Sequence, residues 1–133
     1  PLGIIKEDAY KAAFKPHTKL VSIMMANNET GVIQDIPTLA NIAHDHNVLF
    51  HSDTVQALGK CDMDSTVLSA DFLTFSSHKC YAPKGAGLLY IKDDTLISPL
   101  ITGASHERKM RAGTENVPGI IALGLAVSLL DSV

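Results

Sequence analysis

The stretch KLVSIMMANNETGVIQDIPTLANIAHDHNVLFHSD, from Lys19 to Asp53, joins two apolar runs through a helical stripe. LVSIMMA is nearly continuous in apolar residues, the pattern of a strand covered on both faces rather than one half exposed to water. Ile36, Leu39, Ile42 and Ala43 recur at helical spacing, with Pro37 in the first turn and Asn47 near the end. VLFHSD then reads as a second short apolar strand. Strand, helix, strand is a crossover unit, and consecutive strands in such units run parallel.

Outward from this unit, DAYKAAF (residues 8–14) reads as a short helix and TVQALGK (54–60) as a short helix or turn. DFLTFSS (71–77) and GLLYIK (87–92) read as a third and a fourth strand, and VPGIIALGLAVSLLDSV (117–133) as an apolar helix. The expected fold class is α/β, a central mostly parallel sheet with flanking helices. There is no internal repeat or linker, so residues 1–133 form a single partial domain. The chain opens on PLG without an initiator Met and stops as the last helical pattern completes, which predicts a piece of a longer protein.

Apolar residues make up 46% of the 133 and charged residues 19%, the balance of a globular domain rather than a disordered chain. A net charge of −3 gives no basic excess with which to neutralise a phosphate backbone, so nucleic acid is not an expected partner and a small molecule fits better. No apolar stretch is long enough to span a bilayer and no membrane partner is expected. Cys61 and Cys80 have neither metal-ligand spacing nor the look of a disulfide framework, which suits a reducing compartment. The expected location is cytoplasmic, or mitochondrial for a chain whose transit peptide has been removed.

Polar residues follow three successive strands: Asn27, Asn28 and Glu29, then His51 and Asp53, then Ser76, Ser77, His78 and Lys79. If the strands are parallel neighbours, these groups converge on one rim, where ligands of open α/β sheets gather. Lys79 is the candidate nucleophile, since a lysine held at a partly desolvated strand end forms a Schiff base with an aldehyde. A plain surface lysine is the alternative. Asp53 is placed to keep a pyridinium nitrogen protonated, as a pyridoxal phosphate enzyme requires, or simply to cap the TVQALG segment. Gln56, one turn later if that segment is helical, would reach a phenolic oxygen, or else lies solvated.

Ser76 and His78 are suitable donors to a phosphate, although strand-end hydroxyls and imidazoles commonly satisfy nearby backbone instead. His51 and His78, with His44 and His46, invite a metal reading. Residues two apart do not share a helical face, so His44 and His46 read as the solvated end of a helix, and no metal is expected. RAGTEN (111–116) presents Thr114 to an anion or, as the commoner arrangement, uses Thr114 to cap the following helix with Glu115 in its first turn.

Taken in order and with their spacing, MMANNETGVIQDI, HSDTVQALGK, SSHKCYAPKGAGLLYI and HERKMRAGTEN closely resemble the central part of the cysteine desulfurase and selenocysteine lyase family, from about Lys19 to the end. These are pyridoxal phosphate enzymes of the class V aminotransferase group, with a fold type I large domain. The resemblance implies that Lys79 is the Schiff-base lysine, Asp53 the partner of the pyridine nitrogen, and Gln56 a donor to the phenolic oxygen, with Asn28 nearby. Ser76 and His78 would bind the phosphate, and Thr114 would reach the phosphate of the other subunit's cofactor in a homodimer. It also implies L-cysteine or L-selenocysteine as substrate, L-alanine as product, an enzyme persulfide or released selenide, and a sulfur-acceptor or scaffold protein, as in iron–sulfur cluster assembly.

In the family the sulfur-accepting cysteine sits on a loop well downstream of the Schiff-base lysine. Cys80, adjacent to Lys79, is expected to point elsewhere, and Cys61 to be structural. The family's upstream phosphate-binding loop, ring-stacking histidine and downstream substrate arginine have no match here, so the isolated chain is expected to be inactive. Ala82, Ala104 and Ser105 replace usual glycines, which is harmless unless the backbone needs positive φ. Two other readings stand beside this one: another class V transaminase or lyase, and a non-catalytic binding module on the same fold.

Overall fold

The computed structural model describes residues 3–92 and 97–130. Its elements are α1 (Glu7–Ala13), β1 (Leu20–Met24), α2 (Ile36–Asp45), β2 (Leu49–Asp53), α3 (Ser65–Leu68), β3 (Phe72–Ser76), β4 (Gly87–Ile91) and α4 (Val117–Leu130). The strands form one sheet in the order β1-β2-β3-β4. β1, β2 and β3 are parallel neighbours, as the crossover reading requires, and β4 runs antiparallel to β3. The short connection between β3 and β4 accounts for that reversal, because a parallel return needs a crossover of about a dozen residues or more.

α2 begins where Asp35 accepts the Thr38 N–H at 3.2 Å, with Pro37 in the first turn, and it ends before Asn47, whose φ is 56°. Its apolar stripe of Ile36, Leu39, Ala40 and Ala43 packs with Phe50 and Leu73 of the sheet to form the core. Tyr10 of α1 joins the same cluster and donates its hydroxyl to the Leu39 carbonyl at 3.2 Å. Residues of a strand alternate between faces and residues directly opposite share one, so the register defines the second face. Leu20, Ser22, His51, Asp53, Thr74, Ser76 and Leu89 lie there, away from α2. Much of that face is open, with Leu20 52% and Leu89 47% exposed, although Phe72 on it is buried.

The segment TVQALGK is a series of turns rather than a helix, with the Ala57 and Leu58 N–H groups both donating to the Thr54 carbonyl. α3, a single turn, was not foreseen from the sequence. The expected C-terminal helix is present as α4, and residues 131–133 of the predicted pattern lie outside the described residues. Among the described residues no helix is long and apolar enough to cross a membrane.

Candidate functional site

The carboxyl ends of β1, β2 and β3 are stitched together by backbone and side-chain hydrogen bonds. The Met25 N–H donates to the Asp53 carbonyl at 2.9 Å, and Thr54 sends both its N–H (3.1 Å) and its hydroxyl (2.7 Å) to the Thr74 carbonyl. Ser52 donates its hydroxyl to the Ile23 carbonyl at 2.9 Å. These bonds fix the stagger of the three parallel strands, so the turns that follow them leave from the same edge of the sheet.

Asp53 is half-buried at the end of β2, and its Oδ1 accepts the Val55 N–H at 2.9 Å. The carboxylate thus closes a turn instead of capping a helix. Among the described residues Oδ2 meets no donor, which leaves one carboxylate oxygen for a ligand. Ser76 lies two residues beyond Asp53's register partner Thr74, on the same face.

Ser77, His78 and Lys79 form a single 3-10 turn directly after β3. His78 and Lys79 are exposed, so Lys79 is a reachable amine rather than the partly desolvated one that its strand-end position suggested. Ser77 is the buried hub of this turn. Its N–H donates to the Ala86 carbonyl at 3.1 Å, and its carbonyl accepts the N–H groups of Cys80 (3.1 Å) and Ala82 (3.2 Å). Its Oγ sits 2.7 Å from the Ala86 carbonyl, with the Pro83 carbonyl also in reach of its proton. Cys80 is turned inward, 1% exposed, with its thiol donating to the Ser77 carbonyl at 3.2 Å.

Gln56 sits in the turn after β2 and its Oε1 accepts from Lys60 Nζ at 3.3 Å. Asn28 is exposed at the tip of the turn after β1, which is organised by its neighbour: Asn27 Oδ1 accepts the N–H groups of Glu29 and Thr30, each at 2.9 Å. Thr114 is exposed and does not cap α4. The cap is Asn116, whose Oδ1 accepts the Gly119 N–H at 3.2 Å while its Nδ2 donates to the Gly85 carbonyl at 3.3 Å. Asn116 therefore ties the RAGTEN segment to the loop that follows Lys79, and leaves the Thr114 hydroxyl free of capping duty.

The histidines separate. His51 lies within the sheet face, not on the rim, and burial holds its imidazole below the usual value against the opposing charge of Asp53. His44 is only partly exposed, and its Nε2 lies 2.9 Å from Asp71 Oδ2. His46 stacks on Phe14 with ring centroids 4.3 Å apart. Among the described residues no group of three His, Cys, Asp or Glu is placed to hold a metal ion. Ala82, Ala104 and Ser105 all avoid positive φ, so the departures from glycine cost the backbone nothing. Sequence reasoning missed the part Ser77 plays as the hub of its turn, and missed Asn116 altogether. An Asn directly before Val-Pro-Gly was the available signal for the cap.

The donor set on this rim, one amine, one carboxylate with an open oxygen, a hydroxyl and an imidazole, fits an aldehyde-bearing, phosphorylated pyridine. The profile of the aminotransferase class-V family matches residues 1–133, so the likeness reaches further toward the amino end than Lys19. A cysteine desulfurase of Gluconacetobacter diazotrophicus is 51% identical over 127 residues, covering 96% of this chain and 32% of that protein. The cysteine desulfurase IscS of Methanosarcina thermophila is 46% identical over 96% of this chain and 31% of its own length. Among solved structures, one described as SspA in complex with cysteine superposes with a TM-score of 0.91 at 39% identity, covering 96% of this chain and 37% of that one. The apo cysteine desulfurase of Thermococcus onnurineus NA1 gives 0.89 at 27% identity, over 98% of this chain and 36% of that one. The chain thus spans about a third of the length of the curated relatives it matches. With its mostly parallel sheet, its lysine turn and a family match over its whole length, this chain belongs to the class-V aminotransferase family.

Proposed function

We propose that this chain is the cofactor-binding core of a pyridoxal phosphate-dependent cysteine desulfurase, acting in a longer protein. The observation that carries the reading is that Asp53, with one carboxylate oxygen open, ends β2 while the exposed Lys79 turn follows β3, its paired parallel neighbour. Likeness to proteins named cysteine desulfurase supports L-cysteine as the substrate, with L-selenocysteine as the close analogue.

When bound, pyridoxal phosphate supplies an electron sink for electrons released at the substrate carbon. Asp53 Oδ2 holds the proton on the ring nitrogen. Lys79 Nζ would hold the aldehyde, and as a free amine it would be the group that moves a proton at the substrate Cα. Ser76 and His78 donate to the phosphate, Gln56 and Asn28 orient the phenolic oxygen, and Thr114 serves the partner subunit's phosphate in a homodimer. The products would be L-alanine and a persulfide formed on a thiol, its sulfur passed to an acceptor or scaffold protein for iron–sulfur cluster assembly; from L-selenocysteine the selenium would leave as selenide with a thiol as reductant. Neither cysteine here suits the acceptor role, since Cys80 is buried and Cys61 packs against the core, so the reading requires a thiol from outside these residues.

The test is to load the full-length protein with pyridoxal phosphate and record visible absorption for wild type and Lys79→Ala. The band is expected in the first and absent in the second, with alanine formed from L-cysteine only by the first. Equal bands in both would remove Lys79 from the site, and transfer of the amine to a keto acid would make the protein a transaminase.

A further inference from the structure

Three strands are joined through one side chain on the open face of the sheet. His51 Nδ1 lies 2.7 Å from Ser22 Oγ on β1, and His51 Nε2 lies 3.2 Å from Thr74 Oγ1 on β3. Thr74 is also the register partner of Asp53, and Asp53 stands two residues after His51 on the same face. Ser22 and His51 are themselves register partners. The imidazole is therefore held at both nitrogens, directly beside the carboxylate that the cofactor reading assigns to the ring nitrogen.

A neutral imidazole has one N–H to give and one nitrogen to accept with, and two hydroxyls satisfy it in either tautomer. Protonation would turn both ring nitrogens into donors and add a cation next to Asp53. That cation would compete with a protonated heterocycle for the same carboxylate. Of the elements packed on β2, β1 and β3 present Ser22 and Thr74 at this position, neither of them titratable, while α2 packs on the opposite face with its His44 paired to Asp71. Among the described residues Asp53 is the titratable group that acts on His51.

Resting on that cofactor reading, we propose that His51 is a positioning residue for Asp53: held neutral between Ser22 and Thr74, it fixes the sheet face under the carboxylate and leaves it free to pair with a cationic ring nitrogen. His51 itself touches neither the aldehyde nor the phosphate of that cofactor.

The experiment titrates full-length apoprotein with pyridoxal phosphate from about pH 5.5 to 8, following the Lys79-dependent visible band, for wild type, His51→Gln, His51→Leu and Ser22→Ala. Gln keeps a donor and an acceptor but never ionises. His51→Gln is expected to bind within about threefold of wild type at pH 8 and to lack the part of the acid-side loss of affinity that His51 contributes. His51→Leu, without either hydrogen bond, is expected to bind about tenfold more weakly at pH 8, with Ser22→Ala intermediate. The melting temperature of each apoprotein is read alongside. Lowered melting temperatures with unchanged affinities and an unchanged acid limb would make His51 a strand staple only and overturn the inference. An absent band in wild type, or one that survives Lys79→Ala, would overturn the cofactor reading instead, and the inference with it.

Discussion

His44 Nε2 lies 2.9 Å from Asp71 Oδ2, and the same carboxylate oxygen accepts the buried Phe50 N–H at 2.8 Å. One carboxylate thus joins the last turn of α2 to the second residue of β2. The two partners are unequal, since the side chain of His44 is 32% exposed and that of Asp71 only 9%. Asp71→Ala strands a buried backbone donor and is expected to cost about 2–3 kcal/mol. His44→Ala gives up a partly screened pair and is expected to cost under about 1 kcal/mol. Urea unfolding of the full-length protein separates the two, and equal losses would show that the Phe50 contact contributes nothing.

Ser77 carries the shape of the turn that bears Lys79. Ser77→Ala removes the hydroxyl beside the Ala86 and Pro83 carbonyls without creating a clash, at an expected cost of about 1–3 kcal/mol. Because the loss is local, trypsin should cleave after Lys79 or Lys84 sooner than in wild type, and the Lys79-dependent band should weaken. Unchanged cleavage would mean that the backbone hydrogen bonds of Ser77 suffice to hold the loop.

Gly87 opens β4 opposite Ser76, and a Cβ there would stand 2.9 Å from the Phe75 carbonyl oxygen. The obstacle is backbone, which has no rotamer to give way, so Gly87→Ala is expected to cost about 1–3 kcal/mol and to splay β4 from β3. Gly31→Ala is the control. Its φ of +71° is left-handed but nothing lies within 4 Å, so only the conformational penalty of about 1 kcal/mol applies. Thermal unfolding of both variants compares them, and a larger loss for Gly31→Ala would refute the clash.

Two groups set opposite limits on stability with pH. Burial pushes the Tyr10 phenol up to about 12 from 10.0, so the unfolded chain ionises first. Its contribution is complete below pH 10 and is lost as pH rises toward 12, a loss that Tyr10→Phe should abolish. His51 is shifted down from 6.5, so the unfolded chain takes up the proton first and stability falls as pH drops below that value. His51→Gln should flatten this acid limb. Denaturation midpoints measured across both ranges decide each sign, and stability that rises on acidification would contradict the second.

The elements were largely legible because apolar periodicity is a short-range property of the chain. Ile36, Leu39, Ile42 and Ala43 announce α2 whatever surrounds them, and the run from Leu20 to Met24 announces a strand, although Leu20 and Ser22 are exposed and not covered as an apolar run on both faces implies. Which polar residues follow each strand, from Asp53 to Lys79, could equally be read from the order of the chain. Capping was less so: Thr114 and Asn116 are both good caps, and where α4 begins chose between them.

What the sequence determined by itself is therefore local: which segments are strands and helices, and which side chains follow each strand. Tertiary structure decided the partners. Ser22, His51 and Thr74 meet only in one register of three parallel strands, and a slip of one residue would turn His51 toward the α2 core. His44 meets Asp71, and Asn116 meets Gly85, across separations that no local pattern encodes. Register is set by the burial of Phe50 and Leu73 under α2, a property of the whole sheet, and that packing sets the strand ending at Asp53 alongside the strand that leads into the Lys79 turn.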